Sequence, residues 1–145
     1  TVATFSPFIP TMLAQAAAGH TACRLVGIGS VAGIRGLPGA GAYSASKSAV
    51  ISYCESLRVE LKKSGIKVVT IAPGYIDTPM TQVNVYAMPF LMPVQKFAES
   101  AVATIAAGCS YRVIPWQMGV VAKVLRVLPN WAYDFLFANA PRKKR

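Results

Sequence analysis

Acidic residues are scarce in this chain. Five Asp and Glu stand against fifteen Lys and Arg, which leaves a formal net charge of +10. The imbalance comes from few acids rather than from many bases. Four bases close the sequence as Arg142, Lys143, Lys144 and Arg145. Such a run reads first as a solvated terminus and only second as a contact with an anionic membrane surface. No aromatic residues alternate with the bases, and no zinc or RNA-binding motif is present, which argues against a nucleic-acid partner. Histidine is nearly absent. His20 alone cannot assemble a metal site or a hydrolase triad. The three cysteines, Cys23, Cys54 and Cys109, form no CxxC pair. They read as small buried hydrophobes in a reducing compartment. No signal-peptide pattern and no unbroken apolar run of about 20 residues are visible. The expected location is therefore cytoplasmic.

Hydrophobic residues make up 54% of the 145 positions and charged ones 14%. That composition supports one folded domain and excludes disorder over most of the length. The alanine-rich stretch from Thr1 to Ala18 reads as a helix, with Pro7 and Pro10 as interior flaws. "CRLVGIGS" (23–30) is a short apolar run and reads as a buried strand. "VAGIRGLPGAG" (31–41) is a glycine-rich loop in which Arg35 reads as a surface residue. Ala42 to Lys63 reads as a helix whose Val50, Cys54, Leu57 and Leu61 share one face, and Gly65 is its stop. "KVVTIAPG" (67–74) is a second strand. The proline-broken stretch to Pro93 is loop-like. Pro93 opens a helix to Ala107 with Gly108 as its cap, and "YRVIP" (111–115) is a third strand. The remainder is amphipathic helix interrupted by Pro129.

Continuous apolar strands alternating with helices predict an α/β fold, a doubly wound parallel sheet of Rossmann-like form. In such sheets ligands bind beyond the carboxyl ends of the strands. That rule selects the loop from Gly29, the turn at Pro73–Gly74 and the residues after Ile114.

Tyr43 and Lys47 stand four residues apart among Ala42, Ser44, Ala45, Ser46, Ser48 and Ala49. At that spacing on a helix both side chains share a face. A fixed cation beside a phenol favours the phenolate, which suits the phenol to proton transfer near neutrality. The small neighbours leave room for a flat ligand. Ser30, at the strand end, could hold the same oxygen. Spacing alone is also met in helices with no such role.

"GSVAGIRGLPGAGAYSASKSAV" together with "VVTIAPGYIDTPM" resembles the short-chain dehydrogenase/reductase family. The shared pattern is a strand-end serine, Tyr-x-x-x-Lys thirteen residues later, Pro-Gly after the next strand, and a threonine four residues past that glycine. The resemblance implies that Tyr43 is the catalytic acid–base. It implies that Lys47 tunes Tyr43 and binds the nicotinamide ribose, and that Ser30 orients the substrate oxygen. Pro73, Gly74 and Ile76 would line the nicotinamide pocket, and Thr78 would bond the cofactor. The cofactor implied is NAD or NADP, with NADP slightly favoured. The substrate would be a small carbonyl or alcohol. Met88, Phe90, Leu91 and Met92 fall where the family has its substrate lid, so an apolar substrate is expected, although core packing explains the same residues. The family also implies a homo-oligomer through the helices at 1–18 and 42–63. A peripheral membrane contact of the C-terminal part is less favoured.

The family's glycine-rich phosphate loop is not found. Gly27-x-Gly29-x-x-Ala32 imitates it, but a loop rather than a helix follows and no acid appears where one is needed. By resemblance, the catalytic asparagine precedes Thr1. The chain is therefore expected to be the C-terminal portion of one incomplete domain, inactive alone. Residues 1–115 would be the sheet part and 116–145 an amphipathic extension. Two other readings stay open: a nucleotide-sugar epimerase on the same fold, and a non-catalytic assembly or membrane-surface module.

Overall fold

The computed structural model describes residues 1–84 and 86–138. Three parallel strands form the main sheet: β1 (Arg24–Ile28), β2 (Lys67–Pro73) and, further along the chain, β5 (Tyr111–Ile114), in the order β1-β2-β5. Register runs Arg24 opposite Lys67 to Ile28 opposite Ile71, and Thr70 opposite Tyr111 to Pro73 opposite Ile114. Between the last two lie two strands of two residues, β3 (Ile76–Asp77) and β4 (Met92–Pro93), paired in parallel. The helices are α1 (Val2–Phe5), α2 (Ile9–Ala17), α3 (Gly41–Glu60), α4 (Pro79–Gln82), α5 (Val94–Ala107), α6 (Trp116–Val127) and α7 (Asn130–Phe137).

The sheet is covered on both faces, and side-chain alternation assigns each residue to a side. Leu25 and Val68 point to the α1–α2–α3 side, where they bury Cys23, Cys54, Leu57, Leu61 and Ile66, with Phe5, Ile9 and Met12 packed around them. Val69 and Ile71 point to the other side, against Ala101, Ile114, Phe97 and Ile105. β2 is thus buried on both faces, which is why its sequence is a continuous apolar run with no alternation. β1 has a hydrogen-bonded neighbour on one edge only among the described residues. Its last residue, Ile28, remains 46% exposed.

The expected elements are present with two adjustments. The first helix is two pieces, α1 and α2, because Pro7 falls at their junction and Pro10 sits in the first turn of α2, where its missing N–H costs nothing. The proline-broken loop contains the short β3, α4 and β4. Gly108 caps α5 in the left-handed conformation at φ 66°, as its sequence position predicts. Two arginines tie helix ends to other parts of the fold. One is Arg24, whose Nε donates to the carbonyl of Ile105 at 2.7 Å and whose Nη2 donates to that of Ala106 at 2.9 Å. These are last-turn carbonyls of α5, and that of Ile105 also accepts from the Gly108 amide at 3.0 Å. The other, Arg35, is described below. The C-terminal stretch is integrated into the body as far as it is described, since Met118, Ala122 and Tyr133 are buried. The basic run from Arg142 to Arg145 lies outside the described residues.

Candidate active site

The carboxyl ends of the three strands meet at one edge. The Gly29 amide donates to the Ile71 carbonyl at 2.8 Å, and the Gly74 amide to the Ile114 carbonyl at 2.8 Å. α3 lies across the end of β1 because three glycines let it. A Cβ on Gly27 would collide with the Cys54 sulfur, and one on Gly29 would fall 2.8 Å from Ile51 Cγ1. A Cβ on Gly33 would fall 2.7 Å from the carbonyl carbon of Lys47 and 2.8 Å from the amide nitrogen of Ser48. These glycines are consumed by strand–helix and turn–helix packing. None is free to cradle a phosphate, which disposes of the phosphate-loop imitation in physical terms.

That close approach fixes Lys47. Its Nζ donates to the carbonyl of Ile28, the last residue of β1, at 3.1 Å, and lies 5.7 Å from the centroid of the Tyr43 ring. Tyr43 is one turn nearer the start of α3, half exposed, and its hydroxyl makes no hydrogen bond among the described residues. The phenol is therefore free for a ligand, with the ammonium held beside its ring. Ser30 follows β1 directly and is buried at 7% exposure. It caps the one-turn helix Val31–Gly33, its Oγ accepting from the Ala32 amide at 3.2 Å. A hydroxyl accepting in this way keeps its proton available for donation. The loop from Ser30 to Tyr43 is pinned again at Leu37, whose amide donates to the buried Ser44 Oγ at 3.2 Å.

The second group of expected residues follows β2. Pro73 ends that strand. At Gly74 a Cβ would meet Met118 and Pro115, so the turn packs on the start of α6. Ile76 is buried and pairs with Met92. Thr78 caps α4 in a reciprocal arrangement with Thr81: the Thr78 amide donates to Thr81 Oγ1 at 2.9 Å, and the two hydroxyls are 3.2 Å apart. Within this structure the Thr78 hydroxyl serves its own helix.

Beside the strand ends lies a cavity of about 190 Å³, lined by Val31, Leu37, Tyr75, Pro89, Met118, Val121, Leu125 and Phe137 among others. Its walls are almost wholly apolar. Burial, with Tyr86 adding to it, pushes the Tyr75 phenol up, which keeps it a neutral donor. A second, more open groove runs along Leu37–Tyr43. The expected lid is divided. Pro89 lines the cavity, Met92 packs into the core beside Val69 and Ile71, and Phe90 and Leu91 remain exposed. No group of three or more metal-ligating side chains exists among the described residues. Nor is any helix among them long and apolar enough to cross a membrane.

Arg35 was read from the sequence as a surface residue and is instead tied into α6 and α7. Nothing in a glycine-rich loop signals a long-range contact ninety residues on. Only its place as the single charge between Ser30 and Tyr43 sets it apart.

A parallel sheet wrapped on both faces, with a Tyr–Lys pair and a serine at its carboxyl edge, defines the class: a Rossmann-like α/β protein. Residues 1–88 match the family described as short chain dehydrogenase, and the chain belongs to that family. It is 40% identical over 132 residues to an uncharacterized oxidoreductase of Myxococcus xanthus, covering 91% of this chain and 50% of that protein. A short chain dehydrogenase from Burkholderia cenocepacia, solved with NADP, superposes with a TM-score of 0.65 at 24% identity over 81% of this chain and 48% of that one. A short-chain dehydrogenase from Sphingobium yanoikuyae, solved with NADPH, gives 0.59 at 23% identity over 84% of this chain and 47% of that one. At these identities the two structures establish the fold. The chain spans about half the length of the first curated relative and of both structures.

Proposed function

We propose that the protein carrying this chain is an NAD(P)-dependent oxidoreductase that interconverts an apolar carbonyl compound and its alcohol, with Tyr43 as acid–base. The observation that carries the reading is the Lys47 ammonium, held on the Ile28 carbonyl at the strand end and 5.7 Å from the ring of an otherwise unengaged Tyr43. The residues suit the nicotinamide end of a dinucleotide: a half-exposed phenol, an anchored ammonium, and the backbone from Pro73 to Thr78. They offer nothing for the phosphates, since the glycines at 27, 29 and 33 are occupied by α3.

A bound nicotinamide supplies or receives the hydride. In the reducing direction negative charge grows on the substrate oxygen, and Tyr43 gives that oxygen its phenolic proton while Ser30 donates a hydrogen bond to it. Lys47, already fixed to β1, keeps its ammonium beside the ring that gives up the proton. Carbonyl compound, reduced nicotinamide and one proton thus become alcohol and oxidised nicotinamide. The apolar cavity beside Val31 favours a hydrocarbon-rich substrate. Similar folds are solved with NADP, NADPH and NADH, so both forms of the cofactor enter the test. The outward face of α3, with Ala45, Ala49, Ser52 and Ser56 exposed, suits a second copy packed close.

The test uses the full-length protein with NADPH and NADH against a panel of apolar aldehydes and ketones, following oxidation of the reduced nicotinamide. Tyr43→Phe should lower turnover by about a hundredfold or more with an unchanged thermal transition. Unchanged turnover removes Tyr43 from the mechanism, and no turnover with any carbonyl substrate removes the reading.

A further inference from the structure

The loop joining Ser30 to Tyr43 is gripped from the far end of the chain. Arg35 Nη1 donates to the carbonyls of Leu125 at 2.5 Å and Leu128 at 2.6 Å, with that of Arg126 at 3.4 Å. Its Nη2 donates to Asn130 Oδ1 at 3.1 Å. The carbonyls of Leu125 and Arg126 belong to the last turn of α6, where they lack helical partners and where the helix dipole is negative. The guanidinium carbon also sits 4.0 Å from the centroid of the Tyr133 ring on α7. The hydroxyl of the same tyrosine donates to the Gly36 carbonyl at 2.5 Å, so the ring and the loop hold each other. Tyr133 in turn stacks on Phe137, centroids 4.5 Å apart.

These contacts have a consequence for the cavity. Met118, Val121 and Leu125 of α6 and Phe137 of α7 line it together with Val31, Arg35 and Leu37 of the loop. Among the described residues, Arg35 both lines the space and hydrogen-bonds α6 and α7. A planar fork can serve carbonyls in its plane while its face lies on a ring. An ammonium has no planar face to stack and no fixed fork to hold several carbonyls in one plane.

We propose that Arg35 is a positioning and specificity-determining residue: it latches the α6–α7 pair against the catalytic loop and so fixes the size of the apolar cavity. The specificity part rests on the oxidoreductase reading above, while the latch itself does not. Arg35 touches no reacting atom, so loss of the latch should change which substrates are accepted before it changes how fast the preferred one turns over.

Two measurements on the full-length protein and its Arg35→Met and Arg35→Lys variants decide it. Amide hydrogen exchange should rise about tenfold in residues 124–137 of Arg35→Met, with β2 unchanged. Arg35→Lys should regain less than half of the lost protection, because it restores the charge without the fork. Kinetics with a short aliphatic ketone and a bulky aryl ketone should show their ratio of kcat/KM moving about tenfold through KM. KM for the nicotinamide should stay within about twofold. Unchanged exchange in 124–137 overturns the latch. Looser helices with an unchanged substrate ratio overturn the specificity role. If the unaltered protein reduces neither ketone, the oxidoreductase reading fails and the exchange data still judge the latch. Should Arg35→Met not fold, Arg35→Lys carries the test, and wild-type exchange in residues 124–137 of that variant overturns the proposal.

Discussion

Gly33→Ala is the substitution whose effect follows most directly from the packing. The new Cβ would stand 2.7 Å from the Lys47 carbonyl carbon, 2.8 Å from the Ser48 nitrogen and 2.9 Å from the Lys47 oxygen. All three are backbone atoms in the interior of α3, so no side chain can rotate away. Ordinary contact begins at 3.4 Å, and 3.4 − 2.7 leaves 0.7 Å by which the turn must lift from the helix. Overpacking of this kind costs about 1–3 kcal/mol, and a rigid neighbour places it toward the upper end. With a urea slope of about 1–3 kcal/mol/M, the midpoint of the full-length protein should fall by roughly 1 M. The same turn carries Ser30, and the same stretch of helix carries Lys47. A separation approaching 1 Å between groups that must converge on one oxygen lowers turnover on the order of tenfold to a hundredfold. Gly36→Ala is the matched control. Its Cβ meets nothing within 4 Å, and it should change stability by less than about 0.5 kcal/mol. Urea denaturation and steady-state kinetics on both variants make the comparison. Wild-type midpoint and turnover in Gly33→Ala, or equal losses in the two variants, would refute the claim that the glycine exists to bring the serine turn onto the helix.

Four further outcomes can be checked on the same protein. Arg24→Ala removes charge-assisted bonds to the last-turn carbonyls of α5 and should lower stability by about 1–2 kcal/mol, read as a drop in the thermal midpoint. Thr81→Ala takes away the acceptor for the Thr78 amide and should cost about 1 kcal/mol, with Thr81→Ser largely restoring it in urea titrations. Burial pushes the Cys54 thiol up, only partly offset by its hydrogen bond with Thr70. The unfolded thiol therefore loses its proton first as pH rises, and the fold loses stability above the ordinary thiol pKa of about 8.5. A urea midpoint that declines between neutral and alkaline pH less steeply in Cys54→Ala than in the unaltered protein is the expected result. Thiol labelling of the native protein should reach the partly exposed Cys109 before the fully buried Cys54.

Helix and strand identity could be read along the chain because both are local: the apolar face of α3 through Cys54, Leu57 and Leu61 repeats with the helix period, and β2 is continuously apolar because both its faces are covered. That Tyr43 and Lys47 share one face of α3 could be read for the same reason, since one turn of helix places them side by side whatever surrounds them. Other features depended on residues far apart in sequence. Gly27 and Gly29 look like part of a phosphate loop until α3 is laid over them, when they, like Gly33, prove to mark close approaches to atoms fourteen or more residues away. Arg35 looks like loop decoration until α6 and α7 return past it, offering carbonyls that their own helices cannot satisfy. Periodicity and spacing are properties of a chain, but a steric void or an unpaired carbonyl belongs to no residue until folding brings its neighbour within a few ångströms.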